Sequence, residues 1–258
     1  MHCSVSVFTK EPLSITIEHG IVTQVDRLDS QHETLSLPLI APGFFDIQVN
    51  GYVGKDYSTA LKTAEIEQLI YSLAAGGVSQ HIPTIITNSE ERIIESITSI
   101  RKAREASQVV HSSIPALHIE GPFISPREGA RGVHNPAFIR TANIEEFKRW
   151  QEAAQGLIKI VTLSPEDDKA IEFIKAVSSS NVVVAIGHTD VSPSQIEKAI
   201  DEGATLSTHL GNGSPSMIPR LENFIYKQLS DENMNISIIA DGFHLPPYVI
   251  NCFTRCKG

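Results

Sequence analysis

Residues 182–189 read Val182-Val183-Val184-Ala185-Ile186-Gly187-His188-Thr189. Five consecutive apolar residues make a strand whose two faces are both covered, as in a parallel sheet clad in helices. Ile196, Ala199 and Ile200 then fall on one face of a helix. Working outward, the same strand–loop–helix unit recurs. Segments 39–49, 78–86, 114–119 and 157–163 read as strands one to four. Their helices are marked by Ile66, Leu69, Ile70 and Leu73, by Ile93, Ile97 and Ile100, by segment 143–154, and by Ala170, Phe173, Ile174 and Val177. Downstream, 204–208 and 236–240 read as strands six and seven, with 246–256 as the last helix. Seven β–α units predict a parallel barrel or a doubly wound sheet, and a barrel of this type closes with eight strands. The first forty residues differ. Val5, Val7, Ile15, Ile17, Ile21, Val22 and Val25 sit in short alternating runs broken by Glu11-Pro12 and His19-Gly20, which predicts antiparallel strands. The expected division is a small β-domain over 1–40 and the β/α body over 41–258.

The composition excludes several classes of function. The chain has 258 residues, 41% hydrophobic and 20% charged, which is too apolar for disorder. With 21 basic against 30 acidic residues and a net charge of −9, it offers nucleic acid no generally favourable field. No apolar run approaches the roughly 20 residues that cross a bilayer. The opening residues lack the basic and apolar regions of a signal peptide. Three cysteines have no disulfide-framework spacing, so a cytoplasmic location without membrane or nucleic-acid partners is expected.

Polar residues collect at one kind of place, the C-terminal ends of the predicted strands. Asp46, Gln48 and Asn50 end strand one, Thr87 and Asn88 strand two, and His118 and Glu120 strand three. Ser164 and Glu166 end strand four, His188 and Thr189 strand five, His209 strand six, and Asp241 and His244 strand seven. In a parallel barrel those ends gather at one mouth, where active sites are built. Taken singly, His188 and His209 read as capping or hydrogen-bonding histidines. As a strand-end trio, Glu120, His188 and His209 make a metal site of two imidazoles and a carboxylate, matching a catalytic zinc with an open position. Such a metal polarises a carbonyl oxygen and acidifies water. His134, in the long connection 120–143, and His244 are donors able to orient a substrate or stabilise an oxyanion; a loop histidine of no special role is the plain alternative. Arg220 could clamp an anion, although a solvated arginine is the commoner case. Gly211-Asn212-Gly213-Ser214 offers backbone N–H groups to an anion. Cys252 and Cys256 lack two further ligands for a structural zinc, and Trp150 reads as a core aromatic.

Five ordered motifs carry a resemblance: 42–51 (Pro-Gly-Phe-Phe-Asp-Ile-Gln-Val-Asn-Gly), 118–123 (His-Ile-Glu-Gly-Pro-Phe), Gly187-His188-Thr189, 208–212 (Thr-His-Leu-Gly-Asn) and Asp241-Gly242-Phe243-His244. They resemble the N-acetylglucosamine-6-phosphate deacetylases of the amidohydrolase superfamily, from about Pro42 onward. The resemblance implies a distorted (β/α)8 TIM-like barrel of the metal-dependent amidohydrolase type, with part of a small β-sandwich domain over 1–40. It implies hydrolysis of the acetamide of N-acetylglucosamine 6-phosphate to glucosamine 6-phosphate and acetate. Glu120, His188 and His209 become the ligands of one divalent metal, zinc by expectation. Gln48-x-Asn50 stands where binuclear relatives carry His-x-His and belongs to the pocket. His134 polarises the acetamide carbonyl, His244 contacts the sugar, and Asn212, Gly213 and Arg220 receive the 6-phosphate. Relatives of this kind are often homodimers, though nothing in the sequence marks an interface. The family's acid/base aspartate ends strand eight, which this sequence does not reach, so a C-terminally truncated chain with little or no turnover is expected. Glycines at 211 and 213 stand where the family commonly has Phe and Ala. Two alternatives stay open: a related amidohydrolase acting on another N-acyl sugar or a cyclic amide, and an inactive truncated relative.

Overall fold

The computed structural model describes residues 2–28 and 37–258. The chain divides into two compact units, Met1–Phe44 and Phe45–Gly258. Of the 1–40 segment, residues 1 and 29–36 lie outside the described residues.

The first unit holds β1 (His2–Ser6), β2 (Pro12–Glu18), β3 (Ile21–Arg27) and β4 (Leu39–Ile40) in one sheet of order β3-β2-β1-β4. Strands β1–β3 are antiparallel, and β4 adds in parallel to β1. The β2–β3 hairpin turns through His19 and Gly20, at φ 51° and 79°, with Glu18 opposite Ile21. Two positive φ values in a two-residue loop match the right-handed twist of the strands they join.

The second unit runs through β5 (Phe44–Val49), the short ribbon β6 (Gly51–Tyr52) and β7 (Lys55–Asp56), and α1 (Thr63–Ala75). It continues with β8 (Val78–Ile86), α2 (Glu90–Ala106), α3 (Gln108–Ser113), β9 (Leu117–Glu120), α4 (Ile144–Ala153), β10 (Ile158–Leu163) and α5 (Asp168–Ser178). After these come β11 (Val183–Ile186), α6 (Pro193–Asp201), β12 (Ala204–Ser207), α7 (Phe224–Ser230), β13 (Asn235–Ile236) and α8 (Pro247–Lys257). Seven of these strands form one sheet in chain order, β5-β8-β9-β10-β11-β12-β13, and the neighbours from β8 to β13 all run parallel. The sheet is that of a β/α barrel, with seven strands among the described residues.

Two apolar layers flank it. The larger lies between strands and helices and contains Ile66, Ile97, Leu117, Trp150, Phe173 and Val184. Trp150 is fully buried, stacked on Phe123 at 5.4 Å. The smaller layer lines the inner face with one residue per element: Ile82, Ala116, Ile160, Ala185 and Leu206, with Ile47 against them.

The structure departs from the sequence reading in four places. The first strand breaks at 41–43 into β4 and β5, because Pro42 has no N–H to give a ladder. Helices α3 and α7 are additional. Strand seven is two residues long rather than five. Beyond Ile236 the chain bonds to the end of β12 and to the segment after it: Ser237 N donates to the Ser207 carbonyl at 2.8 Å, and Leu210 N to the Ser237 carbonyl at 2.9 Å.

A buried polar pair lies on the helix side of β8. The Tyr57 hydroxyl and His81 Nε2 are 2.7 Å apart, and both residues are buried. Burial raises the Tyr57 phenol and lowers His81 from 6.5 to about 4. The unfolded chain therefore takes up the His81 proton first. The stability held by the neutral ring is complete above about pH 6.5 and is lost as the pH falls toward about 4. His81→Gln, which keeps a partner for the tyrosine, should flatten the acid limb of a pH–stability curve by at most about 3 kcal/mol. Superimposable wild-type and variant denaturation curves from pH 7 to 4 would refute this.

Candidate metal centre

The strand register sets the height of the polar residues. Ile186 of β11 pairs with Ser207 of β12, so His188 and His209, each two residues further on, stand level. Glu120 ends β9, where it pairs with Thr162 of β10 and Ile86 of β8. Both histidines have positive φ, 50° at His188 and 33° at His209. Non-glycine residues are held there only when their surroundings over-determine them, and such strain collects at functional sites.

Glu120, His188 and His209 are brought together, as the sequence predicts for a trio. Glu120 Oε1 lies 2.8 Å from His209 Nε2 and 3.1 Å from His188 Nε2, and Gln48 Nε2 donates to the same oxygen at 3.0 Å. Glu120 is 1% exposed. Burial alone would raise its carboxyl; the bonds and charges of His188 and His209 outweigh that and hold it well below the usual carboxylate range. His134 also enters the cluster. Its Nε2 lies 3.2 Å from His188 Nε2, and its Nδ1 lies 2.6 Å from Thr87 Oγ1. Among the described residues, Glu120, His134 and His188 form a candidate metal-binding triad, one ligand atom of each lying within 4.8 Å of the others. His209 joins through Glu120 Oε1. Burial first, then the neighbouring His188, lowers His134 from 6.5 to about 4, so its ring is neutral near pH 7.

The donor chemistry fits a divalent cation. His188 Nδ1 is 2.9 Å from the Ala130 carbonyl, which can only accept, so Nδ1 carries the proton. Nε2 is the ring nitrogen left for a cation, and it lies 3.1 Å from Glu120 Oε1, so an imidazole nitrogen and a carboxylate oxygen converge on one buried point. His209 Nδ1 is buried without a hydrogen-bond partner among the described residues. Gly213 completes the wall: a Cβ there would come within 2.8 Å of His188 Nδ1.

The other residues read from the sequence lie around this group. Gln48, Asn50, Asp46 and His209 line a cavity of about 470 Å³ with Ser237 and Asp241, within the size range of small-molecule sites. Asn212 follows His209 closely, with its N bonded to the His209 carbonyl and its buried Nδ2 without a partner among the described residues. Arg220 and His244 are exposed, outside the cluster. His244 Nδ1 lies 2.7 Å from Asp241 Oδ2. Backbone N–H bonds from His244 and Phe243, then the His244 ring, lower Asp241 to about 2. His118 faces inward below the cluster, with Nε2 at 2.7 Å from Thr162 Oγ1 and Nδ1 at 3.3 Å from Thr84 Oγ1; burial lowers it to about 4. Thr87 and the Ala130 carbonyl were given no role in the sequence reading. Thr87 stood among the strand-end residues, but a backbone carbonyl leaves no signal in residue type.

A parallel β/α sheet here gathers one carboxylate and three imidazoles at its carboxyl mouth, the place and the donor set of a metal centre in a β/α barrel. Among its curated relatives and structural neighbours are N-acetylglucosamine-6-phosphate deacetylases. The chain is 32% identical over 222 residues to that of Bacillus subtilis, covering 85% of this chain and 55% of the relative. It is 29% identical to the N-acetylgalactosamine-6-phosphate deacetylase of a Shewanella species, over 89% of this chain and 57% of the other. A Mycobacterium smegmatis N-acetyl-D-glucosamine-6-phosphate deacetylase, solved in complex with N-acetyl-D-glucosamine-6-phosphate, superposes with a TM-score of 0.83 at 27% identity. That match covers 96% of this chain and 64% of the other. The chain thus spans about half the length of the curated relatives it matches. No protein-family model matches it.

Glu120→Gln keeps the shape of the side chain and removes its charge. Divalent-cation affinity, read by calorimetry and metal analysis, should fall by about a hundredfold or more, with the circular dichroism unchanged. Undiminished affinity would remove the carboxylate from the site.

Proposed function

We propose that the protein hydrolyses the acetamide of N-acetylglucosamine 6-phosphate, giving glucosamine 6-phosphate and acetate. The observation that carries this reading is the meeting of Glu120 Oε1 with the Nε2 atoms of His188 and His209 at the mouth of the sheet. Its support from outside is the likeness to deacetylases of that substrate.

In this reading Glu120, His188 and His209 hold one divalent ion, zinc by the preference of a carboxylate–imidazole set. Gln48 and Asn50 stand where a second ion would need imidazoles. When bound, the ion supplies Lewis acidity toward the carbonyl and acidifies water. The protein's own residues do the rest. His134, neutral near pH 7, donates from Nε2 to the acetyl carbonyl oxygen and stabilises the charge that develops there. Gln48 holds Glu120 by donating from Nε2 to Oε1. Asn212 and the Gly213 backbone meet the 6-phosphate, Arg220 closes on it from the loop before α7, and His244 meets the sugar. The proton carrier for the leaving amine is assigned to no described residue. The three cysteines are free and exposed, which suits a reducing compartment such as the cytoplasm. Among the described residues no helix is long and apolar enough to cross a membrane.

A second reading has a specific observation behind it: relatives from Shewanella and Escherichia coli, at 29% and 25% identity, are named N-acetylgalactosamine-6-phosphate deacetylases. Acetate release from the two phosphosugars, compared at equal concentration, separates the epimers. For the phosphate site, Arg220→Ala should weaken binding of N-acetylglucosamine 6-phosphate to the zinc-loaded protein by about 10- to 100-fold, leaving unphosphorylated N-acetylglucosamine unaffected. Equal effects on both sugars, or none, would rule Arg220 out as the phosphate clamp.

A further inference from the structure

Thr87 stands one residue past β8 and is buried. Its Oγ1 lies 2.6 Å from His134 Nδ1. The hydroxyl occupies the space that a side chain at 121 would need: a Cβ on Gly121, itself at φ 74°, would collide with Thr87 Oγ1. Thr87 is thus the first link of a buried chain that passes to His134, then to His188 Nε2 at 3.2 Å, and ends on the Ala130 carbonyl at 2.9 Å.

A carbonyl accepts and cannot donate, so His188 presents an N–H from Nδ1 and leaves Nε2 for the ion of the proposed function. His134 Nε2 faces the same space from 3.2 Å away, and to act there as a donor it must carry the proton. A neutral His134 with its proton on Nε2 has a bare Nδ1, and that nitrogen needs a donor. Thr87 Oγ1 is the hydroxyl within reach.

We propose that Thr87 is a positioning residue whose hydroxyl donates to His134 Nδ1 and so keeps the His134 proton on Nε2, toward the cluster. The proposal rests on the buried Thr87–His134 contact and on the proposed function, in which His134 Nε2–H faces the acetyl carbonyl oxygen. The opposite tautomer would turn a lone pair toward that oxygen and repel it. Valine fills the volume of threonine without the donor, and serine keeps the donor.

The test is long-range proton–nitrogen NMR on protein labelled with ¹⁵N-histidine, both EDTA-treated and zinc-loaded, with the His134 signals assigned by their loss in His134→Gln. Wild type and Thr87→Ser should show His134 protonated at Nε2 and bare at Nδ1 in both states, and Thr87→Val should show loss or mixing of that tautomer. A wild-type proton on Nδ1 in either state overturns the proposal, and so does a folded Thr87→Val that keeps the wild-type pattern. The wild-type spectrum decides even where the valine variant fails to fold. In the acetate-release assay, Thr87→Val should lower kcat by about 10- to 100-fold with KM within about twofold, and Thr87→Ser should restore it. A fall in KM-dependent binding alone, with kcat intact, also overturns the role. If the wild-type protein releases no acetate, the proposed function falls while the tautomer result stands on its own.

Discussion

A carboxylate with 1% of its surface exposed needs compensation, and Glu120 makes that demand on the whole sheet. An unpaired buried charge costs several kcal/mol even after relaxation. Three groups meet its Oε1, from β5, from the end of β11 and from the end of β12. Those elements are far apart in sequence, so the carboxylate is stable only when the parallel register is correct across the sheet. The Ile186–Ser207 pairing levels the two histidines, and the Ile86 and Thr162 pairings fix Glu120. The positive φ at both histidines is the local expense of turning their rings inward just past the strand ends.

Polarity along the inner face of the sheet is graded, and the grading supports that demand. At one level lies the apolar group of Ile82, Ala116, Ile160, Ala185 and Leu206. At the next is a hydrogen-bonded row of Thr84, His118, Thr162 and Thr208, in which His118 Nε2 and Thr208 Oγ1 both lie 2.7 Å from Thr162 Oγ1. Beyond it stands the Glu120 group. The row satisfies polar atoms that have no access to water, and burial keeps its imidazole uncharged. A charged His118 would compete for the Glu120 carboxylate from below; a neutral one leaves that charge to His188, His209 and a cation.

Much of this was legible in the sequence because two rules act at the level of residue type. Strands covered on both faces must be apolar, which marked 182–186 and 157–163 to within a residue or so. Polar residues at the carboxyl ends of parallel strands must share a mouth, which grouped Glu120, His188 and His209. The illegible part followed from backbone chemistry and geometry. Nothing in residue type told that Ala130 would offer a carbonyl to His188, or that Thr87 would reach across Gly121 to His134. Helix α7 begins at Phe224 behind Asn223, whose side chain accepts from two of its N–H groups; seven residues give too short a period to stand out. Strand seven reads long because all of 236–240 but Ser237 is apolar, yet β13 ends at Ile236 and Ser237 bonds to Ser207 at the end of β12 and to Leu210 beyond it.

The cluster and its surroundings differ in order, and the difference bears on how the site works. Glu120, His134, His188 and His209 are each buried and fixed by at least one neighbour on a different element. Their arrangement exists before any ligand arrives, so binding does not have to supply its ordering. Arg220 and His244 are exposed on loops. Asn212 lies between these extremes, with a buried amide that has no partner among the described residues. An unpaired buried donor is costly in the free protein and gains a full bond when an anion reaches it. In the proposed function, preorganisation falls where the amide would be cleaved and adaptable groups fall where the sugar would be recognised, an arrangement that would suit sugars differing at a single hydroxyl. Discrimination between such epimers would then belong to the loops after β12 and β13, and the chemistry to the strand ends.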